Sequence, residues 1–194
     1  MAEIVFELSA LQYELMGFPG LKQGVSLDVV LDAGLHFPEP DASSWYHVRS
    51  DPLPPSLVQV AMGRYAFAGQ IKEAEINKVA GDEGIDENEA VLLVDCGIAP
   101  LRVICAAQED GMLPWGTWET RFLAGYAALQ GIVEEDFSTA IGQSIGVTIW
   151  SIHRLVLTPG DPLFGQSFES DNLVDATLGF DRVWITARPH RRTL

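Results

Sequence analysis

The sequence predicts a mainly β protein, and three observations support this assignment. Segments rich in β-branched and aromatic residues recur along the chain, and clusters of glycine, proline, aspartate and asparagine separate them. A long stretch with the 3.6-residue apolar period of a helix is missing, so only short helices are expected, around 9–16 and 134–141. The predicted strands are 4–8, 25–33, 65–79, 89–96, 101–107, 118–133, 147–157 and 182–188.

Two of the longest predicted strands carry a glycine near their middle, Gly69 in FAGQI and Gly125 in LAGYA. A glycine inside a strand is typical of a bulge or a sharp bend, and bent strands allow a small sheet to close on itself. We therefore expect residues 63–158 to form an OB-like, Greek-key antiparallel barrel of five strands.

The rest of the chain divides around this barrel. Residues 1–62 are expected to supply additional N-terminal strands and a connector, because 36–55 contains five prolines, which exclude central-strand pairing. Residues 159–194 are expected to hold a long loop, a final strand and a basic tail. With 194 residues, the three parts together suit one compact domain.

Composition limits the function classes. The formal net charge of −15 repels phosphate backbones and anionic membrane surfaces. No apolar run is long enough to span a bilayer and the N-terminus lacks a basic, apolar leader, so we expect a cytoplasmic protein without a membrane partner. His36, His47, His153 and His190 are scattered and no C-x-x-C pair exists, so no metal or other cofactor is expected.

The two cysteines, Cys96 and Cys105, lie in two strands that read as one hairpin. The expected register separates their sulfur atoms too far for an unstrained disulfide. We therefore predict two buried free thiols.

The segment GQSIG at 142–146 fits the G-x-S-x-G pattern of a serine-hydrolase nucleophile elbow. That motif needs a strand before the serine and a helix after it, whereas here the β-rich segment 147–157 follows. Gly142 and Gly146 are therefore expected to shape the entry to that strand. The alternative, in which the protein is an enzyme, is a serine hydrolase that uses Ser144, Asp175 and His190.

Strand 147–157 carries apolar side chains at both its odd-numbered and its even-numbered positions, which predicts that it is covered on both faces. His153 is in phase with Ile149 and Leu155, so it is expected to be a satisfied core or interface residue.

The leading hypothesis is a non-catalytic β-barrel protein that binds another protein or its own copies, through an edge strand or an aromatic patch. A second hypothesis is an OB-type binder of single-stranded nucleic acid or oligosaccharide. Nucleic acid is disfavoured because 63–158 carries six Lys and Arg against fourteen Asp and Glu. The predicted contact residues are Trp115, Trp118, Tyr126 and Trp150, with Arg188, Arg191 and Arg192 as an electrostatic arm.

Overall fold

The fold is known from a computed structural model, which describes residues 3–8, 21–34, 45–80, 86–106, 121–132, 141–173 and 178–190. All regular elements in these ranges are strands, which confirms the mainly β prediction. The helix predicted at 9–16 lies outside them, as do residues 134–140 of the helix predicted at 134–141, whose last residue, Ile141, is irregular. The strands are β1 (Ile4–Leu8), β2 (Ser26–Gly34), β3 (Tyr46–Arg49), β4 (Ser56–Ala61), β5 (Arg64–Ala80), β6 (Asp86–Asp95), β7 (Pro100–Ala106), β8 (Phe122–Ile132), β9 (Ile145–Leu155), β10 (Ser167–Ser170) and β11 (Arg182–Pro189).

A first ring of strands is built around β5, β6 and β7, which pair in sequence as antiparallel neighbours. β8 returns along the far edge of β5, which gives the order β8–β5–β6–β7 of a Greek key. β2 then closes the ring, because it pairs antiparallel with β8 and parallel with β7. The closing strand thus comes from the N-terminal part of the chain and not from 147–157.

A second ring shares β2 and β8 with the first. From β2 it passes through β9, β11 and β1, and β1 pairs parallel with β8. The inward side chains of both rings belong to one hydrophobic cluster, so the eight strands enclose a single core. The predicted barrel is therefore confirmed, although it is mixed rather than purely antiparallel and also includes β1, β2 and β11.

The central glycines of β5 and β8 allow a neighbouring backbone to come close. A Cβ atom at Gly69 would collide with the carbonyl of Asp95, and one at Gly125 would collide with the carbonyl of Trp45. The register shift of β5 lies slightly farther along, between Ile71 and Glu73. Both positions thus exclude larger residues because of backbone approach.

A bulge in β9 explains the two-sided apolar pattern of 147–157. Thr186 and Ala187 of β11 pair with Ser151 and Ile149, so Trp150 is the extra residue of β9 at this point. A bulge of this kind reverses which alternate side chains face inward. Val147 and Ile149 face the core before the bulge, and Ile152 faces it afterwards. His153 consequently lies on the outer face, half-buried, with its Nε2 2.5 Å from the hydroxyl of Ser167. The sequence placed His153 on the apolar face of the strand. The structure corrects this, because the bulge reverses the two faces before His153 is reached.

Candidate functional site

The outer face of β4, β5 and β8 carries an apolar surface. Val58, Ala66 and Tyr126 lie directly opposite one another on these three strands, and residues in register project to the same side of a sheet. The inward residues of β5 include Phe67, so this set points outward. Val58 is 58% exposed and Tyr126 is 67% exposed. We call this surface the neutral face and define it as Val58, Ala66, Ala68, Ala124 and Tyr126.

The strands under the neutral face are depleted in charge. Residues 52–71 contain one charged residue, Arg64, and residues 122–132 contain none. At the chain average of 20% charged residues, these 31 positions would carry about six. An exposed apolar surface with so few charges is typical of a contact site rather than of a solvated face.

The end of β4 and the adjoining β4–β5 turn extend the apolar surface. Val60 and Met62 are 56% and 50% exposed. Sequence reasoning missed Val58, Val60 and Met62, because it looked for aromatic residues. The signal that would have revealed them is the uncharged run from Pro52 to Gly63.

A second surface, on β1, β9 and β11, has the opposite character. Arg188 donates to Glu3 at 2.8 Å, and its guanidinium lies 3.4 Å from the ring centroid of Trp150. Arg182 forms a bidentate pair with Glu7, and this hydrogen bonding raises the pKa of Arg182. We call this surface the ion-paired face and define it as Glu3, Glu7, Trp150, Arg182 and Arg188.

A buried carboxylate closes one end of the second ring. The side chain of Asp181 is fully buried and accepts hydrogen bonds from Arg154 Nε at 2.7 Å, from Leu157 N at 2.8 Å and from Thr158 N at 3.0 Å. Burial raises the pKa of Asp181, but the hydrogen bonds from Thr158, Leu157 and Arg154 outweigh it, so the pKa is lowered. Asp181 therefore joins the start of β11 to the end of β9.

The GQSIG segment enters β9 as its sequence context predicts. Ser144 is exposed in an irregular stretch, and β9 begins at the next residue. A Cβ atom at Gly146 would run into the ring of His190, whereas one at Gly142 would make ordinary contacts with Val30 and Arg102. Gly146 thus has a packing role at the start of β9.

The other members of the proposed hydrolase triad are placed differently. His190 shares a hydrogen bond of 2.9 Å between its Nε2 and the hydroxyl of Thr148, and its backbone N donates to the carbonyl of Gly146. Asp175 lies outside the described residues. A nucleophilic role for Ser144 stays a prediction.

The predicted contact residues divide between the two surfaces. Tyr126 belongs to the neutral face, whereas Trp150, 45% exposed, and Arg188 belong to the ion-paired face. The structure therefore does not unite them into one site. Four further predicted residues lie outside the described ranges: Trp115, Trp118, Arg191 and Arg192.

Both cysteines are free and buried, as predicted. Burial, followed by the charge of Asp95, raises the pKa of Cys96 to about 12. The Sγ of Cys105 donates to the carbonyl of Ala90 at 3.6 Å, and burial raises its pKa as well. Thiols held protonated in this way are poor nucleophiles.

Within the described part of the chain, no three or more His, Cys, Asp and Glu side chains converge as they would around a metal ion. In the same residues, no helix has the length and apolar character needed to cross a membrane. Comparison with known proteins found no matching family model, no matching curated protein and no matching solved structure.

Proposed function

We propose that this protein works by contact, binding a protein partner through the neutral face. The observation that carries the proposal is the alignment of Val58, Ala66 and Tyr126 on one outward surface, with the two large side chains more than half exposed. Interfaces are depleted in charge at their centre and enriched in tyrosine, and this surface has both properties.

The neutral face offers a suitable energetic centre. Fully burying an exposed valine side chain is worth about 1.5–3 kcal/mol, and tyrosine is enriched among the residues that dominate binding. The small residues Ala66, Ala68 and Ala124 surround Tyr126 and allow a partner to approach the sheet closely. Tyr126 is therefore the residue on which we expect binding to depend most.

The ion-paired face is less suited to this role. Its arginines already satisfy Glu3 and Glu7, and the guanidinium of Arg188 covers one side of the Trp150 ring. A partner would have to break these contacts before it could use the charges. We therefore assign Trp150 and Arg188 to stabilising the barrel wall rather than to the contact.

Site-specific photo-crosslinking tests the contact. A photoreactive phenylalanine analogue is introduced at Tyr126 in cells of the natural source, with the same analogue at Phe180, 73% exposed and outside the neutral face, as the matched control. We expect a defined cross-linked protein from position 126 and none from position 180. Equal labelling from both positions, or none from either, contradicts the proposal.

The Greek-key order of the first ring favours a second candidate, an OB-type binder of single-stranded nucleic acid or oligosaccharide. Tyr126 would then be a stacking platform. Fluorescence titration with an oligonucleotide and with an oligosaccharide, at two salt concentrations, tests it. Unchanged tyrosine and tryptophan emission in all titrations would exclude both ligand classes.

A further inference from the structure

We infer that a second copy of the chain binds at the β4 edge of the neutral face, joined through β4 by antiparallel strand pairing. This inference rests on the proposed function and specifies the partner that contacts Val58, whereas Tyr126 lies two strands away from this edge, across Ala66. β4 ends the order of strands, with β5 as its neighbour on one side and, among the residues that the structure describes, no strand on the other. An open strand edge presents unpaired backbone groups that another strand can use.

The pairing of β5 determines which backbone N–H and C=O groups of β4 face the open edge. Leu129 N donates to Gly63 O at 2.8 Å, so odd-numbered positions of β5 hydrogen-bond to β8 and even-numbered positions turn to β4. Across the β4–β5 register, even-numbered positions of β4 therefore bond to β5. The N–H and C=O groups of Leu57 and Gln59 face the open edge.

This edge carries little of the protection usual for exposed strands. Natural edges are blunted by lysine, proline or inward charges, whereas Ser56–Ala61 contains none of these residues. Two protective features flank the strand: Pro54 and Pro55 precede it, and the register shift lies between Gln59 and Ala61. Because both lie at the ends of β4, the stretch Ser56–Gln59 remains regular and available for pairing.

The charge distribution selects a second copy as the occupant. A different partner of so acidic a protein would be selected most readily by complementary positive charge, and an uncharged edge provides no such selection. Two copies at −15 each repel one another, so they can approach most closely where neither carries charge. Residues 52–63 are the uncharged run that includes an open edge.

The free groups of Leu57 and Gln59 choose among the registers that a two-fold axis allows. In a symmetric antiparallel pair each residue meets its own counterpart or a residue the same distance beyond the axis. An axis at Val58 uses the free groups of both residues, because Leu57 of one copy then exchanges hydrogen bonds with Gln59 of the other. Val58 then meets Val58 as a non-hydrogen-bonded pair, for which the Cα atoms are about 4.5 Å apart.

Sedimentation gives the first test. We expect the purified 194-residue chain to form a species of twice its 21.2 kDa mass, and to dimerise more tightly at high salt because salt screens the repulsion between the acidic bodies. Val58→Lys/Val60→Lys should weaken the dimer at least tenfold. The matched control, Leu163→Lys/Phe164→Lys, adds the same charge at residues 43% and 58% exposed and should remain dimeric.

Cysteine cross-linking tests the register. Val58→Cys should form an intermolecular disulfide under mild oxidation, because its Cα separation lies in the range that a disulfide accepts. Val60→Cys is equally exposed but would lie opposite position 56, so it should not cross-link. Cys96 and Cys105 are buried and give little background.

The outcomes separate this inference from the proposed function. A chain that stays monomeric at high concentration and high salt overturns the inference, as does a dimer that survives Val58→Lys/Val60→Lys or a Val60→Cys variant that cross-links as well as Val58→Cys. If photo-crosslinking at Tyr126 then still captures a different protein, the proposed function stands without the self-pairing.

Discussion

The neutral face and the ion-paired face are built on the same barrel but stabilise it differently. On β1, β9 and β11, outward charged side chains form ion pairs with their neighbours, as in the Arg188–Glu3 and Arg182–Glu7 pairs. On β4, β5 and β8, outward side chains such as Val58 and Tyr126 contact water rather than one another. A surface whose groups are satisfied internally contributes to stability, whereas one left unsatisfied is available to a partner. Four substitutions test this division.

The largest effect is expected at Asp181, where the ion-paired strands are joined. Asp181→Asn should lower the free energy of unfolding by about 3–5 kcal/mol, because the amide nitrogen that replaces one buried carboxylate oxygen cannot accept the hydrogen bonds that this oxygen receives now. Urea denaturation at pH 7 measures the change. A loss below about 1 kcal/mol would contradict the structural role of this carboxylate.

The pH dependence of the same variant provides an internal check. The folded pKa of Asp181 is lowered, so its stabilisation is present above the unfolded value of about 3.9 and is lost as the pH falls through the folded pKa. The stability difference between wild type and Asp181→Asn should therefore shrink below about pH 4. A difference that stays constant down to pH 2.5 would argue against a lowered pKa.

The next largest loss of stability is expected in β5, one of the strands under the neutral face. Gly69→Ala should destabilise the protein by about 1–3 kcal/mol, because the new methyl group must displace the backbone of Asp95. Gly34→Ala, at the end of β2, is the matched control, since the space beside Gly34 is open and alanine restricts the unfolded chain more than glycine does, which stabilises a protein by about 0.4–1 kcal/mol. Thermal unfolding of the two variants should move in opposite directions.

A smaller loss is expected on the ion-paired face. Arg188→Gln removes the contact with Glu3 and the stacking on Trp150, both partly exposed, and should cost about 0.5–1 kcal/mol. Unfolding in low and high salt measures it, since screening should reduce the difference. A salt-independent effect would assign the loss to packing alone.

The smallest effect on stability is expected on the neutral face. Tyr126→Ser should change the free energy of unfolding of the isolated chain by no more than about 0.5 kcal/mol, because the side chain is 67% exposed. The same substitution should abolish the photo-crosslinked contact when the probe is moved to Ala66, which lies directly opposite position 126. A strongly destabilised Tyr126→Ser variant would mean that this residue belongs to the wall and not to a contact site.

The candidate site was predicted in part. Tyr126 was identified because a large aromatic residue on an apolar strand suggests a contact, and the structure leaves it exposed. Trp150 and Arg188 were assigned to the same surface, but the sequence could not show that they bond to each other. Val58 was missed because a valine in a strand has the same pattern whether it faces the core or water.

Local sequence determined that this chain forms strands, that its thiols are free and that GQSIG leads into a strand, because β propensity and turn residues act over a few positions. The tertiary structure alone decided that β2 closes the first ring, that Trp150 forms a bulge which turns His153 outward, and that β4 is left at an edge. Each of these depends on pairing between residues far apart in the chain, such as Val30 with Ile132. The physical reason is that the packing of the whole core determines which strands become neighbours.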